Sequence, residues 1–470
     1  MLKPIFIAVV SLFIHQQVTA ATIHGDPVDY EVFQSPRDPS YGVRFVKPVL
    51  CDPNVVQYSG YLDMGPNDHY FFWFFESKTN PEKSPLTAWL NGGPGCSSMI
   101  GLWQENGPCR SSKNGTQIDY NPYTWTHYTN MIFIDQPNGV GYSYGDKLQY
   151  NVREGAALFY EAIQLFYEAF PKYSKTPFHI FGESYAGRYI PHYADYIIQK
   201  NTQLSSGNDN SVSLTNTYQH IPIDSVGIGN GWINPLLQFK NAANMACDSS
   251  YGPLVTQKVC ETMQENYSQC AKLVQECYSS DNQFSCVKAD RYCTENIDGL
   301  FRSSGRNYYD VRKGYAVIDP PEDYIFLLND PKIQRQIGVE SIRFEQCAEG
   351  PYDAMSFSGE GARDSSPALV SLLNNGIRVL NYVGDADYLC NWYGNFEVMS
   401  QLQFNGSEHY NNQSLKPWTL RGQEVGQYIS TDQLTFIRVY DAGHEVPYYQ
   451  PQTSLTMFRN WINRKNKNTH

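Results

Sequence analysis

Short apolar runs alternate with longer amphipathic segments over residues 52–232. The strand-like runs are residues 70–75, 86–90, 131–134 (ending at Asp135) and 178–181 (leading into Gly182). Apolar residues recur at helical spacing over residues 154–170, and Pro171 follows, as proline often does just beyond a helix end. Strands and helices that alternate in this way are typical of a mostly parallel sheet with helices on both faces.

The same pattern returns towards the end of the sequence. Residues 377–383 predict a strand that runs into Gly384-Asp385-Ala386-Asp387, and residues 435–440 predict another that runs into Asp441-Ala442-Gly443-His444. A helix is predicted over residues 451–463. The sequence has no internal repeat.

Residues 235–367 break the alternation. They are rich in polar residues and hold seven of the eleven cysteines. The length of 470 residues also exceeds the roughly 250–300 residues over which one core grows. We therefore predict an α/β core in two parts, residues 52–234 and 368–470, interrupted by a disulfide-rich insertion or cap at residues 235–367. The Ser- and Asn-rich residues 201–217 predict an exposed loop.

The first twenty residues have the order of features of a secretory signal peptide. Lys3 supplies the positive charge, residues 5–14 are a short apolar run, and Val18-Thr19-Ala20 offers small residues for cleavage before Ala21. The alternative is a buried N-terminal helix, which this order of features disfavours. Residues 21–51 would then be an N-terminal segment with room for a short pro-segment. No later run has the roughly 18–20 apolar residues of a membrane span, so we expect none.

Cysteines, glycosylation sequons and charge agree with export. Eleven cysteines after a signal peptide indicate disulfides, and the odd number leaves at least one thiol over. N-glycosylation sequons begin at Asn114, Asn266, Asn405 and Asn412. The net charge of −12, from 35 Lys and Arg against 47 Asp and Glu, argues against nucleic acid as a partner, because phosphate binding needs a basic surface. The oligomeric state stays open.

The hexapeptide Gly182-Glu-Ser-Tyr-Ala-Gly187 lies between a predicted strand and a helix-like run. This is the position of a nucleophile elbow, a tight strand-to-helix turn that projects a serine hydroxyl and needs small neighbours. Ala186 replaces the second glycine of the usual G-x-S-x-G pattern with another small residue. The alternative interpretation is an ordinary turn between a strand and a helix.

Later strand ends carry the partners that such a serine needs. In an α/β-hydrolase the acid and the histidine follow the serine along the chain, each after a later strand. Asp385 and Asp387 follow one predicted strand, and His444 follows the last. A catalytic triad of Ser184, His444 and one aspartate is therefore predicted, and the spacing leaves both aspartates open.

Two backbone N–H groups are expected to stabilise the oxyanion. One belongs to Tyr185, and the other to the glycine-rich Asn91-Gly-Gly-Pro-Gly95 after the predicted strand at residues 86–90. A phosphate-binding loop is the alternative, but no Gly-Lys-Ser/Thr follows. The sequence also has no His-Glu-x-x-His motif and no convincing ligand cluster, so we expect neither a metal nor a cofactor.

Four motifs are specific when they occur together. They are Trp89-Leu-Asn-Gly-Gly-Pro-Gly-Cys-Ser-Ser98, Gly182-Glu-Ser-Tyr-Ala-Gly187, Gly384-Asp-Ala-Asp-Tyr-Leu-Cys-Asn-Trp392 and Ala442-Gly-His-Glu-Val-Pro447. They resemble the serine carboxypeptidase family, and most closely its fungal carboxypeptidase Y branch, over residues 52–461. The resemblance implies an α/β-hydrolase fold and a secreted or vacuolar enzyme. Such an enzyme removes single amino acids from peptide C-termini through an acyl-enzyme and is favoured at acidic pH. That branch has a long pro-region, whereas at most a short pro-segment is expected here.

The resemblance also assigns roles to individual residues. It implies that Ser184 is the nucleophile and His444 the base, and it selects Asp387 over Asp385 as the acid of the triad. The residues implied to donate to the oxyanion are Gly93 and Tyr185. Those implied to bind the terminal carboxylate of the substrate are Asn91, Glu105 and Glu183.

Glu445 follows the histidine directly. The resemblance implies that this position lines the pocket of the departing amino acid, the S1′ pocket, and that Met can occupy it in the family. A carboxylate there would attract Lys or Arg at the substrate C-terminus. The alternative is that Glu445 points to solvent.

The resemblance further implies how the cysteines pair. The implied disulfides are Cys96–Cys347, Cys247–Cys260, Cys270–Cys293 and Cys277–Cys286. Cys51 and Cys109 remain and are paired, although they do not match the fifth bridge of the family. Cys390 is then a free thiol near the active site, and we expect it to be buried and structural rather than catalytic.

Three other functions share parts of this pattern. A lipase or esterase would have the triad but no use for Glu105 and Glu183. A non-catalytic binding homologue would not need all three triad residues. An acyltransferase of the same fold would share nearly everything, and the sequence leaves it open.

Overall fold

The computed structural model describes residues 28–206 and 218–464. The predicted signal peptide, residues 207–217 of the predicted loop and the last six residues lie outside the described part of the chain. The strands in the described part are β1 Glu31–Gln34, β2 Tyr41–Val46, β3 Gln57–Met64, β4 Asp68–Phe75, β5 Leu86–Leu90, β6 Cys109–Ser112, β7 Gln117–Tyr120, β8 Asn130–Ile134, β9 Tyr144–Gly145, β10 Phe178–Glu183, β11 Ile223–Gly229, β12 Arg378–Gly384, β13 Lys416–Leu420, β14 Gln423–Ser430 and β15 Leu434–Val439.

The α-helices of the same residues are shorter on average in the second half of the chain. They are α1 Val152–Ala169, α2 Ala186–Ser206, α3 Pro235–Cys247, α4 Gln257–Ser280, α5 Gln283–Cys293, α6 Gly299–Phe301, α7 Tyr324–Leu328, α8 Pro331–Gln336, α9 Glu349–Phe357, α10 Ser366–Asn374, α11 Trp392–Gln401, α12 Ser407–Asn411, α13 Val446–Tyr449 and α14 Pro451–Ile462.

One sheet dominates the described part of the chain. It has 13 strands in the order β1-β2-β3-β4-β8-β5-β10-β11-β12-β15-β14-β13, with β9 paired to β4. The central strands β8, β5, β10, β11, β12 and β15 are parallel, and antiparallel pairs extend both edges. The carboxyl ends of parallel strands meet at one edge of a sheet, which is where ligands bind in such folds.

Helices cover both faces of this sheet. One apolar cluster packs strand residues against α1, α2, α10 and α11, and a second packs the opposite face against α14 and α7. The strands β5, β8, β10 and β12 are buried along their whole length, because both of their faces are covered, and they therefore read as continuous apolar runs. The predicted α/β-hydrolase fold is confirmed.

The helix α1 begins and ends as its sequence predicts, within two residues. The side chain of Asn151 accepts a hydrogen bond from the N–H of Glu154 and caps the first turn, and Pro171 follows the last. The prediction of a loop from residue 201 onwards is wrong at its start, because α2 continues to Ser206. Its hydrogen bonds explain this, since Asn201 is anchored to the backbone of Ile221 in both directions.

The segment between β11 and β12 carries most of the disulfides. Three of them lie inside the helices α3–α5 and link Cys247–Cys260, Cys270–Cys293 and Cys277–Cys286. Its apolar cluster includes Ala386 and Tyr388, which follow β12. The disulfide-linked helices therefore pack directly against the aspartate-bearing loop of the core.

The remaining cysteines tie early loops together. Cys96–Cys347 joins the glycine-rich loop after β5 to the segment before α9, and Cys51–Cys109 joins the loop after β2 to β6. Cys390 is a buried free thiol.

The sequon asparagines differ in their surroundings. Asn114, Asn405 and Asn412 are exposed. The Nδ2 of Asn266 instead donates a hydrogen bond to the carbonyl oxygen of Asn296 at 2.8 Å, so a glycan on that nitrogen would have to replace this bond. Among the described residues, no helix combines the length and the apolar character needed to cross a bilayer.

Candidate active site

Ser184 occupies a sharp turn between β10 and α2. Its φ of +63° is in the left-handed region, which costs a non-glycine residue energy and marks a position that the surrounding structure enforces. Its N–H donates to the carbonyl oxygen of Gly229 at 3.0 Å. A Cβ on Gly182 would lie 2.0 Å from the carbonyl oxygen of Leu90, and one on Gly187 would lie 2.7 Å from that of Trp232. Crowding by neighbouring strands therefore explains the small residues of this hexapeptide.

Asp387 and His444 lie together at the ends of β12 and β15. The Nδ1 of His444 is 2.7 Å from Oδ2 of Asp387, and the aspartate is fully buried. Oδ2 of Asp387 also accepts from Nδ2 of Asn230 at 2.8 Å, and Oδ1 accepts from the N–H of Leu389 at 3.0 Å. The carboxylate is thus held on both oxygens and oriented towards the imidazole.

Asp385 has a different set of partners. It accepts hydrogen bonds from Tyr251 Oη at 2.6 Å, from Arg438 Nη2 at 3.2 Å and from the N–H of Asp441 at 3.0 Å. These contacts tie the end of β12 to the end of β15. Of the two aspartates that the spacing left open, Asp387 is the one in contact with His444.

Two N–H groups near Ser184 have no acceptor. Within residues 28–206 and 218–464, neither the N–H of Gly93 nor that of Tyr185 donates a hydrogen bond. Both residues line a cavity together with Ser184. A Cβ on Gly92 would lie 2.3 Å from the N of Tyr185, so only glycine lets the two loops approach this closely. Such a pair of free donors beside a serine is the arrangement of an oxyanion hole.

Asp135, which directly follows β8, anchors the glycine-rich loop. Its carboxylate accepts from Ser97 Oγ at 2.5 Å, from the N–H of Ser98 at 2.9 Å and from the N–H of Tyr142 at 3.0 Å. Burial raises the pKa of Asp135 to about 6, and the three donors are what favour its ionised form. Together with Cys96–Cys347, this fixes the loop that carries Gly93.

Asn91, Glu105 and Glu183 form one buried cluster. The Nδ2 of Asn91 donates to Oε1 of Glu105 at 3.2 Å and to Oε1 of Glu183 at 3.0 Å. Burial raises the pKa of Glu105 to about 7. Burial and the neighbouring Glu105 raise the pKa of Glu183 further above its usual range, because two adjacent carboxylates cannot both ionise cheaply.

Glu445 belongs to the same acidic cluster. Its Oε2 is buried and has no hydrogen-bond partner within the described residues. Burial, with Glu105 and Glu322 nearby, raises its pKa well above the usual range, against a smaller opposite effect of Arg110. Glu445 is partly exposed and lines the cavity that also contains Glu183 and His444.

Two cavities meet at Ser184. One, of about 300 Å³, is lined by Glu183, Ser184, His444 and Glu445. The other, of about 180 Å³, is lined by Ser184, Tyr185 and Cys390. Because they share Gly93, Ser184 and Leu389, a substrate that crosses the serine can place one part in each.

The roles of three residues that contact the site were not predicted from the sequence. Asn230 follows β11, a strand that was not predicted, so its position at the same sheet edge was hidden. The carbonyl oxygen of Tyr309 accepts the N–H of His444 at 2.9 Å, and the two rings lie 4.9 Å apart. Tyr309 lies in a long irregular segment whose sequence has no signal for this contact. Asp135 was recognised only as a strand end.

Cys390 lies beside the triad. Its Sγ, a carboxylate oxygen of Asp387 and a ring nitrogen of His444 are within 4.8 Å of one another. Burial, and then the charge of Asp387, raises the pKa of the Cys390 thiol well above its usual range. A thiol held protonated is a poor nucleophile, so the serine has no competitor here.

Comparison with known proteins agrees with this geometry. The model of the serine carboxypeptidase family matches residues 48–464. Carboxypeptidase S1 of Penicillium janthinellum is 40% identical over 420 residues, which cover 88% of this chain and 97% of that protein. Carboxypeptidase Y of Candida albicans is 36% identical over 414 residues, 87% of this chain and 73% of that protein. The crystal structure of the Kex1 prohormone-processing carboxypeptidase from Saccharomyces cerevisiae has a TM-score of 0.74 at 24% identity, covering 89% of this chain and 94% of that one. The expected resemblance is thus confirmed, and the chain belongs to the serine carboxypeptidase family of peptide hydrolases.

Proposed function

We propose that this protein releases single amino acids from peptide C-termini through an acyl-enzyme formed on Ser184, with its best efficiency on the acid side of neutrality. One observation carries the proposal. The cavity that holds Ser184 and His444 also contains Glu183, which Asn91 joins to the buried Glu105. An esterase would have no use for that cluster, whereas an exopeptidase must recognise a free carboxylate.

The chemical step uses the triad and the two free N–H groups. Nδ1 of His444 faces Asp387, so Nε2 is the nitrogen that takes the proton of Ser184 as its oxygen attacks the last peptide carbonyl. The N–H groups of Gly93 and Tyr185 stabilise the oxyanion, each such donor being worth about 3–4 kcal/mol. The proton passes to the leaving amine, and water then hydrolyses the acyl-enzyme by the same route in reverse.

The glutamates bind the terminal carboxylate as neutral acids. A protonated carboxyl group donates a hydrogen bond, whereas an ionised one can only accept. The raised pKa values of Glu105 and Glu183 keep both glutamates protonated up to about neutral pH. Above that pH the cluster repels the substrate carboxylate, so peptide hydrolysis is lost while ester or amide hydrolysis persists.

Glu445 sets the preference for the departing residue. Glu445 lines the cavity that also contains Glu183, Ser184 and His444. A Lys or Arg at the substrate C-terminus would supply a counter-charge and draw Glu445 into its ionised form. Basic C-termini are therefore tolerated in addition to apolar ones.

The deciding experiment compares blocked dipeptides with their C-terminal amides and with simple esters, and measures released amino acid. A carboxypeptidase releases the free amino acid from the dipeptide, and Ser184→Ala does not. An esterase would hydrolyse only the esters. An acyltransferase would release the amino acid only when an acceptor is supplied. Either of these outcomes would refute the proposal.

The protein is proposed to act after export, outside the cell or in the vacuole. The five disulfides need an oxidising compartment, and three exposed sequons offer sites for glycans. Fractionation of cells that express the full chain, with treatment by an N-glycanase, tests both points. Protein found only in the cytosol, with no mobility change, would contradict this location.

A further inference from the structure

A cavity of about 700 Å³ lies at the end of the sheet away from the triad. Its lining includes Arg378, the first residue of β12, and Gln433, which directly precedes β15. Asp387 and His444 follow the opposite ends of the same two strands. These strands have seven and six residues, so the cavity is roughly 20 Å from the catalytic groups, and the proposed mechanism does not use it.

Basic side chains gather in this cavity, although the protein as a whole has a net charge of −12. The basic residues of its lining are Arg378, His409, Lys416 and Arg464, and the acid is Asp432. Within residues 28–206 and 218–464, neither Lys416 nor Arg464 forms an ion pair, although the charge of Asp432 acts on Arg464. We call this space the basic cavity.

Arg464 has donor capacity that the described residues do not use. Its Nη1 donates to Ser430 Oγ at 2.9 Å and to Thr435 Oγ1 at 3.4 Å, and both acceptors are neutral. Burial, and then the positive charge of Arg378, lowers the pKa of Arg464. The two guanidinium groups therefore repel each other, and an anion in the basic cavity would offset that repulsion.

Arg378 is a buried cation with one donor left over. Its Nη1 donates to the carbonyl oxygen of Trp461 at 3.0 Å, and its Nη2 donates to Asp224. Its Nε is buried and has no hydrogen-bond partner within the described part of the chain. A buried donor without an acceptor is costly, and the planar fork of arginine matches the oxygens of a phosphate group.

A second cavity, of about 210 Å³, adjoins the basic cavity, and we call it the aromatic cavity. The two share Tyr428, Ser430 and Arg464. Trp418 and Trp461 line the aromatic cavity, and the guanidinium of Arg464 lies 5.7 Å from the ring of Trp461. The other apolar residues of its lining are Leu380, Ile437 and Met457. A planar aromatic group suits this lining, because aromatic rings stack favourably on one another.

We propose that the two cavities together bind a free phosphate monoester that carries an aromatic group. Its phosphate lies beside Arg378 and Arg464, and its ring lies beside Trp418 and Trp461. A phosphate monoester has a charge of about −1.5 to −2 at pH 7. Four basic side chains against one acid in the described lining match that charge better than they match the single charge of a carboxylate. This site is separate from the proposed function and does not depend on it.

The test measures dissociation constants by titration calorimetry for phenyl phosphate, inorganic phosphate and phenol, at one ionic strength and at about pH 7.5, where the phosphate is mostly dianionic. Phenyl phosphate should bind at least tenfold more tightly than phenol, because it adds charged hydrogen bonds. It should also bind severalfold more tightly than inorganic phosphate, because its ring fills the aromatic cavity. No saturable binding of phenyl phosphate, or an affinity no higher than that of inorganic phosphate, would overturn the proposal.

Variants locate the bound ligand. Arg464→Gln combined with Lys416→Gln should weaken the binding of phenyl phosphate about 10- to 100-fold, whereas Trp418→Ala should weaken it severalfold and leave inorganic phosphate within twofold. None of these side chains is fully buried, so the variants are expected to fold. Arg306→Gln combined with Lys258→Gln is the matched control, since these exposed residues carry the same charge and line neither cavity. Equal losses in the control and in the cavity variant, or no loss in either, would refute the site.

Discussion

Replacing Glu105 and Glu183 by Gln should abolish the loss of peptide hydrolysis at alkaline pH. In the unmodified protein, both glutamates must stay uncharged for the pair to donate to the substrate carboxylate without repelling it. Since burial raises the pKa of Glu105 to about 7, the first negative charge appears in the pair above that value, and kcat/KM for a blocked dipeptide should then fall about tenfold per pH unit. The amide of the same dipeptide carries no carboxylate and should show no such fall.

Two opposing energies set the size of this effect. A hydrogen bond to a charged acceptor contributes about 1.5–3 kcal/mol, so the protonated pair favours the peptide acid by about 10- to 100-fold. Two unit charges about 4 Å apart repel each other by about 4 kcal/mol at an effective dielectric constant of about 20. Between pH 6 and pH 9 the preference for the acid over the amide should therefore reverse.

The Gln side chain keeps an N–H donor at every pH and has no negative charge. The double Gln variant should retain some preference for the peptide acid and hold it constant between pH 6 and pH 9. Glu322→Gln is a suitable control, because Glu322 lies in the same cavity but outside the cluster bridged by Asn91.

The assay is kcat/KM against pH for the matched acid and amide, on all three proteins. Parallel acid and amide profiles in the unmodified protein would refute the role of the glutamates as neutral donors. So would a double Gln variant whose acid profile still falls with the unmodified slope.

Three further outcomes are expected. A sulfonyl fluoride should modify Ser184 alone, and peptide mapping that finds the adduct on another serine would contradict the triad. Asn230→Ala removes a donor to Asp387 and should lower kcat about tenfold with little change in KM; an unchanged kcat would make this contact merely structural. Glu445→Met should lower the Arg/Leu ratio at the substrate C-terminus severalfold, and an unchanged ratio would remove Glu445 from this pocket.

Most strands at the centre of the sheet could be predicted, whereas the central strand β11 could not, because glycine and polar residues interrupt its apolar positions. Covered on both faces, β5, β8, β10 and β12 became apolar runs that periodicity detects, and each prediction ends within two residues of the strand. The outer strands β2, β3, β13 and β14 were not predicted. Their faces are covered unequally, as the mixed burial along β3 and β14 shows, so polar and apolar residues mix without a clear period.

Site residues whose role depends on local backbone geometry could be predicted from the sequence, whereas residues defined by contacts between distant segments were harder to predict. Ser184 and the glycine-rich loop stand in motifs whose backbone geometry requires small residues. The choice between Asp385 and Asp387 needed more than spacing, because both follow the same strand. The family resemblance selected Asp387, and in the structure its contact with His444 distinguishes it from Asp385.

In the proposed mechanism, the acidic cluster and the general base place opposite demands on protons. The general base must be neutral to accept the proton of the serine. The carboxylate-binding glutamates must be protonated, and an ordinary Glu loses its proton near pH 4.3. Burial raises the pKa of Glu105 to about 7, and burial together with the charge of Glu105 raises the pKa of Glu183 well above its usual range, so both glutamates stay protonated at mildly acidic pH. In the proposed mechanism, the enclosure of Asn91, Glu105 and Glu183 is therefore required, since exposed glutamates at the same positions would be ionised at that pH and would repel the substrate carboxylate.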